Sequence, residues 1–412
     1  MNSINKLIFF FLFAIILLQS CKDGSIKSNN KIEIPILLDR SSSFSQKEFL
    51  VVKKKYEELT NKIKNNPEKP ESYTLLAQLF INEARITGKH HEYIPSCMKL
   101  LNKSLELDST NFNAKITKAS VLMTLHKFND AKTLAEEAIK LNGYSSFGYG
   151  VLVDALVETG DYKKAVEICD KLNMIKPDLR SYSRASYLRE INCDFKGAIE
   201  AMELAADAGA SGAEDRAWAL FQLGNLYVKE NKIDTAQFIF KGILEERPSY
   251  AFAFLGLADV AIYKKDFSTA LELLIKAIQL SPEHIFSERL TEVYSKLNDT
   301  FGAKLMLDKT IVAFEIHQKD GWNIDREYAN FCLKQNYKLV EALTLAKKDY
   351  LSRPENVDAQ TTYAWALVSN NRLDEAKIII DKSFITCKNN NQLLIIKSLL
   401  QSKLNQKNKF IS

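Results

Sequence analysis

The residues best suited to chemistry are few. His90, His91 and Glu92 stand side by side in "RITGKHHEYIP" (85–95), and they are the only clustered histidines among the five in the chain. Two imidazoles and a carboxylate can ligate a metal, but a metal site needs further donors at spaced positions that converge on one point. His126, His284 and His317 are isolated along the sequence. The expectation is therefore a solvated loop at 85–95 and no metal. The stretch "GASGA" (209–213) lacks the spacing of a nucleophile elbow and reads as a flexible connection. Zinc-hydrolase, phosphate-loop and paired-acid motifs are also missing from the sequence. No catalytic residue, cofactor or small-molecule substrate is assigned, and the chain is not expected to be an enzyme.

The cysteines follow the same logic. Cys97, Cys169, Cys193, Cys332 and Cys387 are widely spaced, odd in number and contain no C-x-x-C. That spacing gives neither a disulfide framework nor a structural zinc site. Most lie in apolar helical patterns, where a thiol acts as a small buried hydrophobe. A single bridge is compatible with an oxidising compartment, and the sequence selects no pair.

Glycine (14) and proline (8) are scarce in 412 residues, which excludes a barrel or sandwich of many short strands. The net charge of +5 comes from 56 basic and 51 acidic residues mixed along the chain. This is a solvated surface without the concentrated basic face that phosphate neutralisation needs, so no nucleic-acid partner is expected.

The N-terminus has its own pattern. "MNSINK" is followed by "LIFFFLFAIILL". Twelve apolar residues are too few for a membrane span, which takes about 20, but they suit the h-region of a signal peptide. Leu18-Gln19-Ser20-Cys21 then resembles the lipobox of bacterial lipoproteins. The resemblance implies a signal peptide over 1–20, lipid on Cys21 and a stable anchor, since several acyl chains hold where one binds marginally. Residues 21–44, rich in Ser, Asn and Lys, read as a tether. Lys22 stands where some inner-membrane lipoproteins carry aspartate, so the expected location is the bacterial cell envelope, at the outer membrane.

The elements that must carry any site come from a repeat. Small residues recur in one context at Ala131, Ala165, Ala198, Ala236, Ala270, Ala303, Ala342 and Ala376, with most gaps close to 34 residues. The stretch "LFQLGNLYVKENKIDTAQFIFKGILEERP" (220–248) shows the unit: small Gly224, aromatic Tyr227, a turn at Asn231, small Ala236, large Phe240 and a stop at Pro248. Ala258, Lys265, Ala270, Leu274, Ala277 and Pro282 repeat it in register, and Gly160, Ala165 and Pro177 do so earlier. Close helix crossings need Ala or Gly where backbones approach and a large side chain opposite.

This register resembles the tetratricopeptide repeat (TPR). The resemblance implies an all-α superhelical solenoid of antiparallel helix pairs, about eight or nine units over 70–388. A capping helix is expected over 45–69. Residues 389–412 should form a second cap and tail, with Leu393, Ile396 and Leu400 on one stripe. Residues 85–95 are expected to lengthen the turn of the first unit into a loop. Residues 207–218 and 317–327 should lengthen connections between units.

In tetratricopeptide arrays the first helix of each pair lines a concave groove. Counting from the reference alanines, the resemblance places Phe147, Asp154, Arg180, Arg184, Tyr187, Trp218, Phe221, Asn225 and Asp259 there. Glu190, Gln222 and Phe252 join them, and Tyr328, Phe331 and Trp365 continue the aromatic presence. Phe147, Phe252 and Phe331 suit packing between units equally well. Aromatic side chains interleaved with Arg and Asn are the composition of protein-binding hot spots. Arg180 and Arg184 resemble half of the carboxylate clamp of some members, but Ile116, Ser120 and Val151 do not supply the rest. The expected function is a membrane-anchored scaffold that binds other proteins or peptide segments in an assembly, secretion or peptidoglycan-related complex. The alternative is an accessory binding lipoprotein for glycan or nutrient uptake.

Overall fold

The computed structural model of the protein describes residues 33–41, 44–386 and 391–411, with side chains up to residue 406. The apolar segment, Cys21 with its lipobox, and Cys387 lie outside the described residues. The chain divides into two compact units, Met1–Ile36 and Leu37–Ser412. In the first, the described residues 33–36 form neither helix nor strand. In the second, every regular element among the described residues is an α-helix.

Helix α1 (Gln46–Asn65) precedes nine antiparallel pairs. These are α2–α3 (Pro70–Thr87, His90–Leu107), α4–α5 (Phe112–Thr124, Phe128–Leu141) and α6–α7 (Ser146–Thr159, Tyr162–Ile175). Next come α8–α9 (Leu179–Ile191, Phe195–Asp207), α10–α11 (Glu214–Lys229, Ile233–Glu246) and α12–α13 (Ala251–Tyr263, Phe267–Leu280). The last three are α14–α15 (His284–Lys296, Thr300–Lys319), α16–α17 (Asp325–Lys334, Leu339–Ser352) and α18–α19 (Val357–Ser369, Leu373–Ser383). Helix α20 (Asn391–Ile411) follows, with Leu393, Ile396 and Leu400 buried on one stripe.

Local chemistry stops and restarts these helices. Each turn within a pair holds a residue in the left-handed region: Gly88, His126, Gly160, Cys193, Asn231, Lys265, Asn298, Asn336 and Asn371. A single left-handed residue ends a helix and frees the chain to reverse. In four pairs the second helix then starts on an aspartate, Asp161, Asp194, Asp266 or Asp299, whose carboxylate accepts from the amide three residues on.

Packing follows the small-residue pattern. Ala131, Ala165, Ala198, Ala236, Ala270, Ala342 and Ala376 are fully buried. Phe240 fills the gap among three helices: a Cβ added at Gly224 would lie 2.3 Å from its ring, and one added at Gly256 would lie 2.6 Å away. The exception is Ala303, which is half-buried. In that pair Gly302 takes the close approach, and an added Cβ there would lie 2.6 Å from the Tyr294 ring.

Two connections differ from expectation. Residues 85–95 form no extended loop: α2 and α3 each run 18 residues and only Gly88 and Lys89 separate them. Gly88, at φ 68°, ends α2 abruptly, and Pro95, early in α3, forfeits only the bond to the carbonyl one turn back. Similarly α15 continues to Lys319, so His317 is helical and the connection is confined to 320–324. The connection over 207–218 is lengthened, with 208–213 outside the helices.

The first helices of neighbouring pairs pack on one another in several places, as α4 does on α2 and α6. Successive second helices make no comparable packing among the described residues. The array therefore curves with the first helices inside. The curvature is tight enough that early pairs meet late ones. The Asn323 amide donates to the Leu125 carbonyl at 2.9 Å, and Arg353 Nη1 reaches Glu158 Oε2 at 2.6 Å. The Val357 amide donates to the Tyr162 hydroxyl, 195 residues away, at 2.9 Å. Asn129 Nδ2 donates to the Ser352 carbonyl, and Arg85 pairs with Glu214 at 2.7 Å. The turns inside pairs one to three thus dock on the connections between later pairs, forming a seam.

Candidate functional site

The first helices form an inner wall, and ion pairs between neighbouring units run along it. Arg184 on α8 grips Asp154 on α6 with two hydrogen bonds, Nε to Oδ1 at 2.8 Å and Nη2 to Oδ2 at 2.6 Å, and also donates from Nε to the Gly150 carbonyl at 3.0 Å. Three units later Arg289 on α14 repeats the arrangement with Asp259 on α12, Nε to Oδ1 at 2.8 Å. Arg326 on α16 reaches Asp358 on α18 at 3.3 Å with the order of signs reversed. An arginine fork suits this bidentate geometry, and each pair fixes the spacing of two adjacent helices.

The opposite sides of the wall are close. Tyr187 on α8 keeps 40% of its surface accessible, yet its phenol is pushed well above the ordinary value by burial and by Asp358 and Glu158, against the pull of Arg326. These partners sit on α18, α6 and α16, so charges on distant units act across the interior. Carboxylates on the wall are correspondingly uncomfortable. Burial pushes Glu158 and Asp259 upward despite Arg353 and Arg289, and it pushes Glu288 up to about 7, with Glu327 adding repulsion.

The expected groove residues divide on inspection. Asp154, Arg184, Tyr187 and Asp259 lie on this wall, the charged ones already paired with their neighbours. Phe147 and Arg180 are exposed, while Trp218 and Asn225 are half-buried. Phe221 is placed differently: it is 8% exposed, its ring 5.9 Å from Phe240 and 5.6 Å from Phe252, and it belongs to the packing between units. Phe252 extends that row to Phe286 at 5.4 Å, and Phe331 is fully buried. A face shared between wall and neighbouring unit does not tell which side an aromatic ring joins.

Sequence reading misses the histidines. All five in the chain gather at the seam around Trp322. His317 lies 4.2 Å from His91, 5.4 Å from His284 and 5.1 Å from Trp322 by ring centroids. His90 lies 5.9 Å and His126 6.4 Å from Trp322. No signal along the chain links positions so far apart. Among the described residues no group of His, Cys, Asp and Glu has the geometry of a metal site. A cleft of about 440 Å³ opens beside Trp322, lined also by Gln318, Asn323, Asp325, Lys348 and Ser352.

Cys193 is disulfide-bonded, whereas Cys97, Cys169 and Cys332 are buried free thiols. Burial pushes the thiols of Cys97 and Cys332 up to about 12 and that of Cys169 to about 11, which makes them unreactive.

Neither a protein-family model nor a curated protein matches this sequence. Among solved structures, the human IFIT1 dimer with PPP-AAAA superposes with a TM-score of 0.50 at 14% identity, over 80% of this chain and 77% of that one. The fold is a tetratricopeptide-type solenoid. A chain of the APC/C hetero-tetramer Cut9-Hcn1 gives a TM-score of 0.48 at 14% identity over 87% of this chain. This chain spans 60% of that one's length. YrrB, described as a TPR protein with an unusual peptide-binding site, gives 0.25 at 23% identity, over 55% of this chain and 94% of its own. Such identities speak to the solenoid fold alone.

Proposed function

We propose that this solenoid is a scaffold that holds polypeptide segments along its inner wall, favouring segments that carry Lys or Arg. The observation that carries the reading is the set of wall carboxylates, Glu158, Asp259 and Glu288, which burial holds above their ordinary range. Glu158 and Asp259 each hold one arginine and Glu288 faces Lys334 and Arg289, yet their carboxyls stay raised, and a further basic side chain from a partner would relieve them. Tyr187, with its accessible ring, offers an aromatic contact in the same region. The expectation drawn from Leu18-Gln19-Ser20-Cys21 completes the proposal: lipid on Cys21 tethers the scaffold in the bacterial cell envelope, at the outer membrane. A tether raises the effective concentration of the wall near membrane partners, so modest contacts suffice.

The two parts are tested separately. Peptide arrays probed with the full chain should favour Lys- and Arg-bearing segments over acidic ones. The combined variant Asp259→Asn, Glu288→Gln and Tyr187→Ala should weaken that capture at least tenfold, and an unchanged binding profile would remove the wall from the account. For the anchor, Cys21→Ala should shift the protein from the membrane to the soluble fraction. Retention in the membrane fraction would sink it.

A further inference from the structure

We infer that the histidine cluster is a proton-held latch, in which imidazoles on the early pairs hold carboxylates on the late pairs and keep the superhelix closed at the seam. Three contacts cross from one side to the other. His90 Nε2 lies 3.2 Å from Glu283 Oε1, His91 Nδ1 lies 2.8 Å from Asp320 Oδ2, and His126 Nδ1 lies 3.6 Å from Glu327 Oε2. His90 and His91 open α3, and His126 is the left-handed turn residue between α4 and α5. Their carboxylates sit before α14, after α15 and on α16.

The charges around Glu283 make the latch depend on protons. Its carboxyl is held below the ordinary value against burial, and the groups that hold it down are His90, His284 and His317. No lysine or arginine is among them. The contact is therefore an ion pair only while an imidazole facing it carries a proton. Without that proton Glu283 is a half-buried carboxylate among neutral rings.

The neighbouring groups shape the two limbs. Burial works against charge on His126, whose Nδ1 is hydrogen-bonded to the Asn323 carbonyl at 3.2 Å, but the nearby Glu327 carboxylate outweighs this and Arg326 opposes it, so its pKa is raised. That contribution is complete below about 6.5 and is lost as pH rises through the raised value. Glu327 keeps Arg326 as a second partner at 3.0 Å. Burial, then His91 and His284, lower His317 to about 4, so it opposes closure as pH falls from about 6.5 towards that value. Burial also lowers His284, against Glu283 and Glu327. Glu288, 3.5 Å from His284 and facing Lys334 and Arg289, works the other way, because a proton on it relieves a raised carboxyl. On acidification His284 and His317 thus work against closure, while His126 and Glu288 work for it.

Hydrogen exchange reads the latch directly, because the Asn323 amide crosses the seam to the Leu125 carbonyl. The full chain is compared at pH 6.0 and 8.0 after correction for intrinsic exchange rates. Protection of 320–324 should fall at least fivefold at pH 8.0, while α10 to α13 stay unchanged. Glu283→Gln removes one of the three carboxylates and should at least halve that pH response. His90→Gln with His91→Gln should leave only the smaller response carried by His126, at the less protected level. Equal protection of 320–324 at both pH values in the unaltered chain would overturn the latch, as would a wild-type pH response in Glu283→Gln.

Discussion

Phe240 shows how individual residues set the spacing of the rod. Its ring lies between Gly224 and Gly256, so a methyl group at either position meets aromatic carbon below 3 Å. Gly224→Ala or Gly256→Ala should destabilise the chain by about 1–3 kcal/mol, the cost of overpacking a filled site. Urea titration measures this, and the loss should concentrate in exchange protection of α10 to α12. The Arg184–Asp154 pair makes a second prediction. Asp154 remains more than a third exposed at its side chain, so solvent screens the interaction. A double-mutant cycle through Arg184→Met and Asp154→Asn should give a coupling of about 0.5–1 kcal/mol. Gly224, Phe240 and the small alanines are legible along the chain, because each is a local demand of one helix crossing, whereas the part of Gly256 shows only in the packing. The partners of Arg184 and Asp259 are not, because a charge's position in register leaves its neighbour unspecified.

At the scale of the element, the turns do two jobs. Gly160 is left-handed at φ 84°, and a Cβ added there would lie 2.3 Å from the Glu355 backbone. Backbone cannot swing aside as a side-chain tip does. Gly160→Ala should therefore open the third layer of the seam, exposing the Val357 amide to exchange, while α6 and α7 remain helical by circular dichroism. The same double role explains why 85–95 reads as a loop in sequence and folds as helix. Gly, Lys, two histidines and a proline are loop composition, but burial of Tyr93, Ile94 and Cys97 on the face of α3 overrides it. Packing contributes more than propensity to short helices, so composition is weakest as a guide where a helix begins against another part of the molecule.

At the scale of the molecule, closure changes how the solenoid should unfold. An open repeat array is coupled only between neighbours, whereas here pairs one to three also rest on pairs seven to nine. Arg353 carries one layer of that contact: it is 3% exposed, bonds Asp349 at 2.8 and 2.9 Å and crosses to Glu158 at 2.6 Å. Arg353→Met leaves buried Asp349 unpaired and should cost about 3–5 kcal/mol. It should also lower the slope of the urea transition, because the two ends then open separately. A slope equal to that of the unaltered chain would mean the seam transmits nothing. From sequence alone came the helix pairs, their register and the small residues at crossings. Each depends on residues within one or two units, where periodicity is visible. Tertiary structure alone decided that the ends meet, that Phe221 packs rather than lines the wall, and that five scattered histidines share one knot. The reason is accumulation: a small rotation at each pair, set by side-chain size, sums over several units into a closed or an open turn. No single stretch of sequence carries that sum.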